Sequence, residues 1–273
     1  MYKYIFFLLL ILPLRATPLF AQSETLHVLL LIDEYSDIAP ACEADKIKME
    51  EEVKVIAQKT RLALNLHRVD YSKGGIEEAI AGLAVSPNDV ILFYFTGHGY
   101  RYERQEHCGK YPYLYLTKTE EHLYDAGLCL ENINEQLKAK KPRLLISLAD
   151  CCNNVLPYEE PIAMNPVLIG QAYKKLFLGS EGYIIATSSL PGQYSFATSN
   201  GGYFTNGFLE SLREISARSD APEEITWERV LKRTAAITIL NSDSKQKPQY
   251  DYAVDHKVEI AVPSSVILPA KGH

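Results

Sequence analysis

The stretch Pro142–Asn154, PRLLISLADCCNN, decides the fold. From Leu144 to Asp150 it is apolar or small until the acid, and the run then stops at Cys151 and Cys152. A short apolar run without polar alternation fits a strand buried on both faces, as in a parallel sheet covered by helices. In open sheets of that kind, chemistry collects just past the carboxyl ends of the strands. Cys151 and Cys152 stand at such a place. Asp89–Gly99, DVILFYFTGHG, has the same shape and ends in His98 between two glycines. Two such strands deliver a cysteine and a histidine to one edge of one sheet, the makings of a Cys–His dyad.

Outward from these strands the pattern repeats. His27–Asp33 and Leu62–Val69 read as strands, with Ala41–Lys59 as a surface helix between them and Gly75–Leu83 as a short helix after. Strand alternating with helix predicts a doubly wound, mostly parallel α/β sheet in a single domain. Between Tyr100 and Leu130 the rhythm breaks, and Tyr111–Thr117 (YPYLYLT) alternates like a hairpin or edge ribbon. Glu131–Lys140 is helical and leads into the cysteine strand. Asn153–Ser180, with three prolines and the basic pair Lys174–Lys175, reads as a long functional loop. Gly182–Ser188 is the next strand, Phe204–Ser216 and Trp227–Leu240 are helices, and Lys257–Val262 is a final strand.

Composition narrows the partners. The chain has 273 residues, is 47% hydrophobic and 23% charged, and carries a formal net charge of -6, which argues against nucleic acid as a partner. At the N-terminus, Lys3 precedes the apolar run Ile5–Leu14, and Ala21 offers a small residue before Gln22. That is the layout of a secretory signal over residues 1–21. A membrane span needs about 20 apolar residues, and Arg15 interrupts too early. The expected mature protein is therefore periplasmic or extracellular. Five cysteines, an odd number for an exported chain, leave at least one thiol unpaired. Cys108 and Cys129 are placed to bridge a loop, although buried free thiols are the commoner state. No spacing reads as a zinc site.

A cysteine peptidase needs a thiolate, a histidine to take the thiol proton and return it to the leaving amine, and amide donors for the oxyanion. FYFTGHG at Phe93–Gly99, DCC at Asp150–Cys152, ACEAD at Ala41–Asp45 and ATSSLPGQ at Ala186–Gln193 resemble the caspase-like peptidases, of the metacaspase or bacterial caspase-homologue type. The 54 residues from His98 to Cys152 are close to the ~50 that caspases show. The resemblance runs from about His27 to Leu240 and implies a caspase-like domain over residues 22–263, with a tail at 264–273.

By that resemblance Cys152 is the nucleophile and His98 the base, with the amides of Gly99 and Cys152 as oxyanion donors. The primary specificity pocket falls on Cys42, Asp45, Thr96 and Asp150, where paired carboxylates suit a substrate Arg or Lys. Lys174 and Lys175 become candidates for self-cleavage. No cofactor is required, although calcium stimulates many members; Glu120, Glu121, Asp125, Glu159 and Glu160 offer oxygens at no EF-hand spacing. The chain departs from metacaspases at Asn153, Asn154 and Val155, where His-Ser-Gly is common. Two other classes compete. A catalytically impaired homologue acting as a binding or regulatory module would lose a dyad member, and both are present. A nucleotide- or flavin-binding protein would carry a Gly-rich phosphate loop after a strand, and none is found.

Overall fold

A computed structural model describes residues 24–101, 110–116, 128–151, 154–155, 166–217 and 225–256. In chain order these form β1 (Thr25–Ile32), α1 (Ala39–Thr60), β2 (Ala63–Arg68), α2 (Lys73–Gly82), β3 (Val90–Gly97), β4 (Gly99–Tyr100), β5 (Tyr113–Leu114), β6 (Leu128–Cys129) and α3 (Leu130–Lys138). There follow β7 (Leu144–Cys151), β8 (Asn154–Val155), α4 (Pro166–Phe177), β9 (Ser180–Thr187), β10 (Phe196–Thr198), β11 (Gly201–Gly202), α5 (Tyr203–Ala217), α6 (Trp227–Asn241) and β12 (Gln249–His256).

Six strands make the central sheet, in the order β12–β9–β7–β3–β1–β2. β12 runs antiparallel to β9, and every other pair is parallel. All eight residues of β3 and of β7 are buried, which is why their sequences show no polar alternation. Side chains nevertheless alternate between two faces. Val28, Tyr94 and Leu148 point to a core closed by Val53 of α1, Tyr173 of α4, Phe208 of α5 and Trp227 of α6. Leu29, Phe95 and Ala149 point to the other core, closed by Ile80 of α2, Leu137 of α3 and Leu114 of β5. The Trp227 indole N–H also donates to the Leu176 carbonyl at 3.0 Å, so the largest buried side chain leaves no polar atom unmet. Strand register then places Thr96 opposite Asp150 and Gly97 opposite Cys151 at the carboxyl edge.

Some expectations shift. The segment Asn153–Ser180 is not one long loop, because α4 occupies Pro166–Phe177. Ala172, Tyr173, Leu176 and Phe177 bury one side of it, and Pro166 suits a helix start. Lys174 and Lys175 therefore sit half-buried in a last helical turn, and cleavage there requires that turn to unwind. The final strand is Gln249–His256; the expected Lys257–Val262 lies outside the described residues, as do residues 1–21 and the 264–273 tail. Among its described residues, the Tyr111–Thr117 ribbon contributes β5, the middle strand of a small sheet with β4 and β6. Cys42 and Cys151 take part in no disulfide, whereas Cys129 is disulfide-bonded to a partner outside the described residues. Among the described residues no helix is long and apolar enough to cross a membrane.

Candidate active site

β3 ends at Gly97, and β4 begins at Gly99, so His98 occupies a corner at the carboxyl edge. The corner needs glycine for packing. A Cβ on Gly99 would lie 2.6 Å from Cys151 Cβ and 2.9 Å from its sulfur. A Cβ on Gly97 would lie 2.9 Å from Asp33 Cβ and 3.1 Å from the Tyr71 hydroxyl. The His98 carbonyl accepts the Tyr115 N–H at 2.9 Å, which fixes the backbone beneath the ring. Nε2 of His98 lies 2.8 Å from Asp37 Oδ1, and the ring meets Tyr115 edge-on at 6.3 Å.

On the α1 side of the sheet Cys42, Asp45, Thr96 and Asp150 lie close together. Asp45 and Asp150 are each only 1% exposed. Asp45 accepts the Thr96 hydroxyl at 3.0 Å and the Gly202 N–H at 3.0 Å. Asp150 Oδ2 accepts the Thr205 N–H at 3.0 Å and the Thr205 hydroxyl at 2.7 Å, and Oδ1 accepts the Ser195 hydroxyl at 3.1 Å. Burial pushes both carboxyls above their ordinary range, and for Asp45 the charge of Asp150 adds to the rise. Burial also pushes the Cys42 thiol up, so this cysteine stays protonated and inert at neutral pH.

Cys151 is the last residue of β7 and turns to the opposite core, where it is buried under Gly99. Its N–H and carbonyl both meet the Ser188 hydroxyl, at 3.3 Å each. Cys152 lies outside the described residues, as do the five acids considered for calcium. Among the described residues no cluster of three His, Cys, Asp or Glu could hold a metal ion. A cavity of about 300 Å³ opens beside the corner, lined by Gly99, Arg101, Leu190 and Tyr194, with Cys151 and Ser195 also in its wall. Neither Asp45 nor Asp150 lines it; Ser195 joins it to Asp150 through one hydrogen bond.

Three features escaped the sequence reading. Asp37 meets His98 from a loop 61 residues earlier. Gly201 and Gly202 lie against the acid pair so closely that a Cβ on either would overlap a carboxylate oxygen, Asp45 Oδ1 or Asp150 Oδ2. Gly201 also has φ +97°, which a side chain resists. Ser195 and Thr205 supply hydroxyl donors to Asp150. The adjacent glycines before a helix were the one visible signal.

A mostly parallel sheet that carries histidine and cysteine at neighbouring strand ends, above a buried acid pair, defines a class. Residues 27–258 match the caspase domain family, peptidase family C14, and the chain belongs to that family. The family is one of cysteine peptidases, and its substrates are polypeptides. Similar solved structures include protein GSU0716 from Geobacter sulfurreducens, with 14% sequence identity, covering 85% of this chain and 94% of that one, at a TM-score of 0.42. Pro-Sf-caspase-1 is 15% identical, covering 84% of this chain and 91% of that one, at a TM-score of 0.48. No match was found among the curated proteins.

Proposed function

We propose that the protein is an exported cysteine endopeptidase that cleaves after Arg or Lys, with Cys152 as nucleophile and His98 as base. The thiol of Cys152 gives its proton to the imidazole, and the thiolate adds to the substrate carbonyl. The N–H groups of Gly99 and Cys152 receive the oxyanion. The imidazolium then protonates the departing amine, the C–N bond breaks, and a thioester remains. Water, losing a proton to His98, hydrolyses that thioester and frees the thiol.

The observation that carries the specificity is the pair of buried carboxylates, Asp45 and Asp150, bound by hydroxyl and amide donors; among the described residues no cation hydrogen-bonds to either, although the charge of Lys48 reaches Asp45. An arriving guanidinium exchanges the Ser195 and Thr96 hydroxyls for its own N–H groups. The acids keep their hydrogen bonds and gain a compensating charge, whereas a substrate Asp brings a third negative group. Arg should exceed Lys, because its planar fork engages both acids. Export rests on the Lys3, Ile5–Leu14 and Ala21 pattern, and the disulfide at Cys129 suits an oxidising compartment.

A panel of fluorogenic peptides ending in Arg, Lys or Asp, with and without calcium, tests the reading. Turnover after Arg and Lys and none after Asp is expected; efficient cutting after Asp would overturn the specificity. N-terminal sequencing of the exported protein should begin near Gln22, and an intact Met1 would end the export claim.

A further inference from the structure

We propose that Asp37 is the positioning residue of His98, holding its ring with the proton on Nε2 so that Nδ1 is the unprotonated nitrogen that takes the Cys152 proton. The role assigned to Cys152 rests on the function proposed above; the hold on the ring stands on geometry alone.

A neutral imidazole has two tautomers, and a general base must present one chosen nitrogen bare. The backbone contacts of His98 do not make that choice. Its carbonyl is fixed by Tyr115, and its neighbours are glycines, which have no side chain to set a ring. Asp37 does, with Oδ1 at 2.8 Å from Nε2. The bond to His98 is the first cause holding the Asp37 carboxyl below its usual range. Ionised at neutral pH, it can only accept, and Nε2 must be the protonated nitrogen.

The loop that presents Asp37 is built for its place. Asp33, the first residue after β1, is 1% exposed and donates its N–H to the Thr96 carbonyl at 3.0 Å, on the strand that carries His98. Its Oδ1 accepts the N–H groups of Tyr35 and Ser36 at 3.0 Å each, curling the chain back. At the far end the Ile38 carbonyl accepts the N–H groups of Ala41 and Cys42 at the start of α1. Asp37 sits between these two anchors. The ring is met by this carboxylate on one side and by the edge of Tyr115 on another, with Tyr71 behind donating its hydroxyl to the Tyr115 carbonyl.

The plain alternative is a surface ion pair. The Asp37 side chain is 83% exposed and that of His98 22%. So exposed a pair contributes little to stability, and loss of Asp37 should leave the fold intact while disturbing the ring.

The experiment uses the full chain with Asp37→Ala and Asp37→Glu. On an Arg peptide, Asp37→Ala should lower kcat about 10- to 100-fold with KM changed less than about twofold, as for a mis-set general base. The melting temperature should hold within about 2 °C, and Asp37→Glu should recover part of kcat. Nitrogen-15 imidazole spectra, with the His98 signal identified by its absence in His98→Gln, should show Nε2–H in the parent and a tautomer mixture in Asp37→Ala. An unchanged kcat in Asp37→Ala, or Nε2–H retained there in full, overturns the proposal. A parent protein that cleaves no peptide refutes the peptidase reading instead, and the nitrogen spectra then decide on Asp37 by themselves.

Discussion

Asp150→Asn separates the charge of the acid pair from its structural role. Asparagine has the same shape, and its hydrogen bonds can be redrawn without loss. Its oxygen can take the place of Oδ2 and accept from the Thr205 N–H and hydroxyl, now at 3.0 and 2.7 Å. Its NH₂ then faces the Ser195 hydroxyl at the present 3.1 Å, and that hydroxyl turns from donor to acceptor. Ser195 lines the cavity, so its hydroxyl proton can turn there, and folding should change by about 1 kcal/mol or less, about 2–4 °C in a domain of this size. Binding of a basic side chain is another matter. Removing one partner of a buried charged pair typically costs about 2–4 kcal/mol, or roughly 30- to 900-fold in kcat/KM. The assay compares Arg and citrulline peptides, which differ chiefly in charge. The parent should prefer Arg strongly, and Asp150→Asn should lose most of that preference with its melting temperature nearly unchanged. An Asp150→Asn protein with unaltered kinetics on Arg peptides would refute the reasoning.

Other outcomes follow from the same geometry. Cys152→Ala should abolish turnover, while Cys151→Ala, which trims a side chain packed under Gly99, should keep activity at a stability cost of about 1 kcal/mol; thermal melts and turnover decide, and the reverse result would shift the nucleophile by one residue. Gly202→Ala places a methyl into Asp150 Oδ2, so it should destabilise by about 1–3 kcal/mol in urea melts and lower kcat/KM on Arg peptides more than Cys151→Ala does. For pH, Asp45 and Asp150 hold their protons more tightly folded than unfolded. Their stabilising contribution is full below about pH 4, the unfolded value, and is lost as pH rises through the folded values. In the Cys152→Ala background, Asp45→Asn should therefore flatten the fall in urea midpoint above pH 4; an equal fall with and without Asp45 would contradict the assigned environment.

Much of this architecture was legible because a strand covered on both faces must be apolar throughout. Leu144–Cys151 and Val90–Gly97 declared themselves that way, and the residues ending those runs, Asp150 and His98, marked the carboxyl edge that carries the candidate site. The helix α4 was hidden by the prolines before it and by Gly170 within it, although Tyr173 and Phe177 recur at helical spacing. Local pattern also placed Asp45 in the first turns of α1, but did not say what would face it. That depended on partners far along the chain: Gly202, 157 residues on, against Asp45, and Asp37 against His98 across 61 residues. Periodicity reports which face of an element is buried, since burial repeats every turn or every second residue. Which carboxylate meets which amide or imidazole is set where loops from separate elements converge, and only the packed chain decides it.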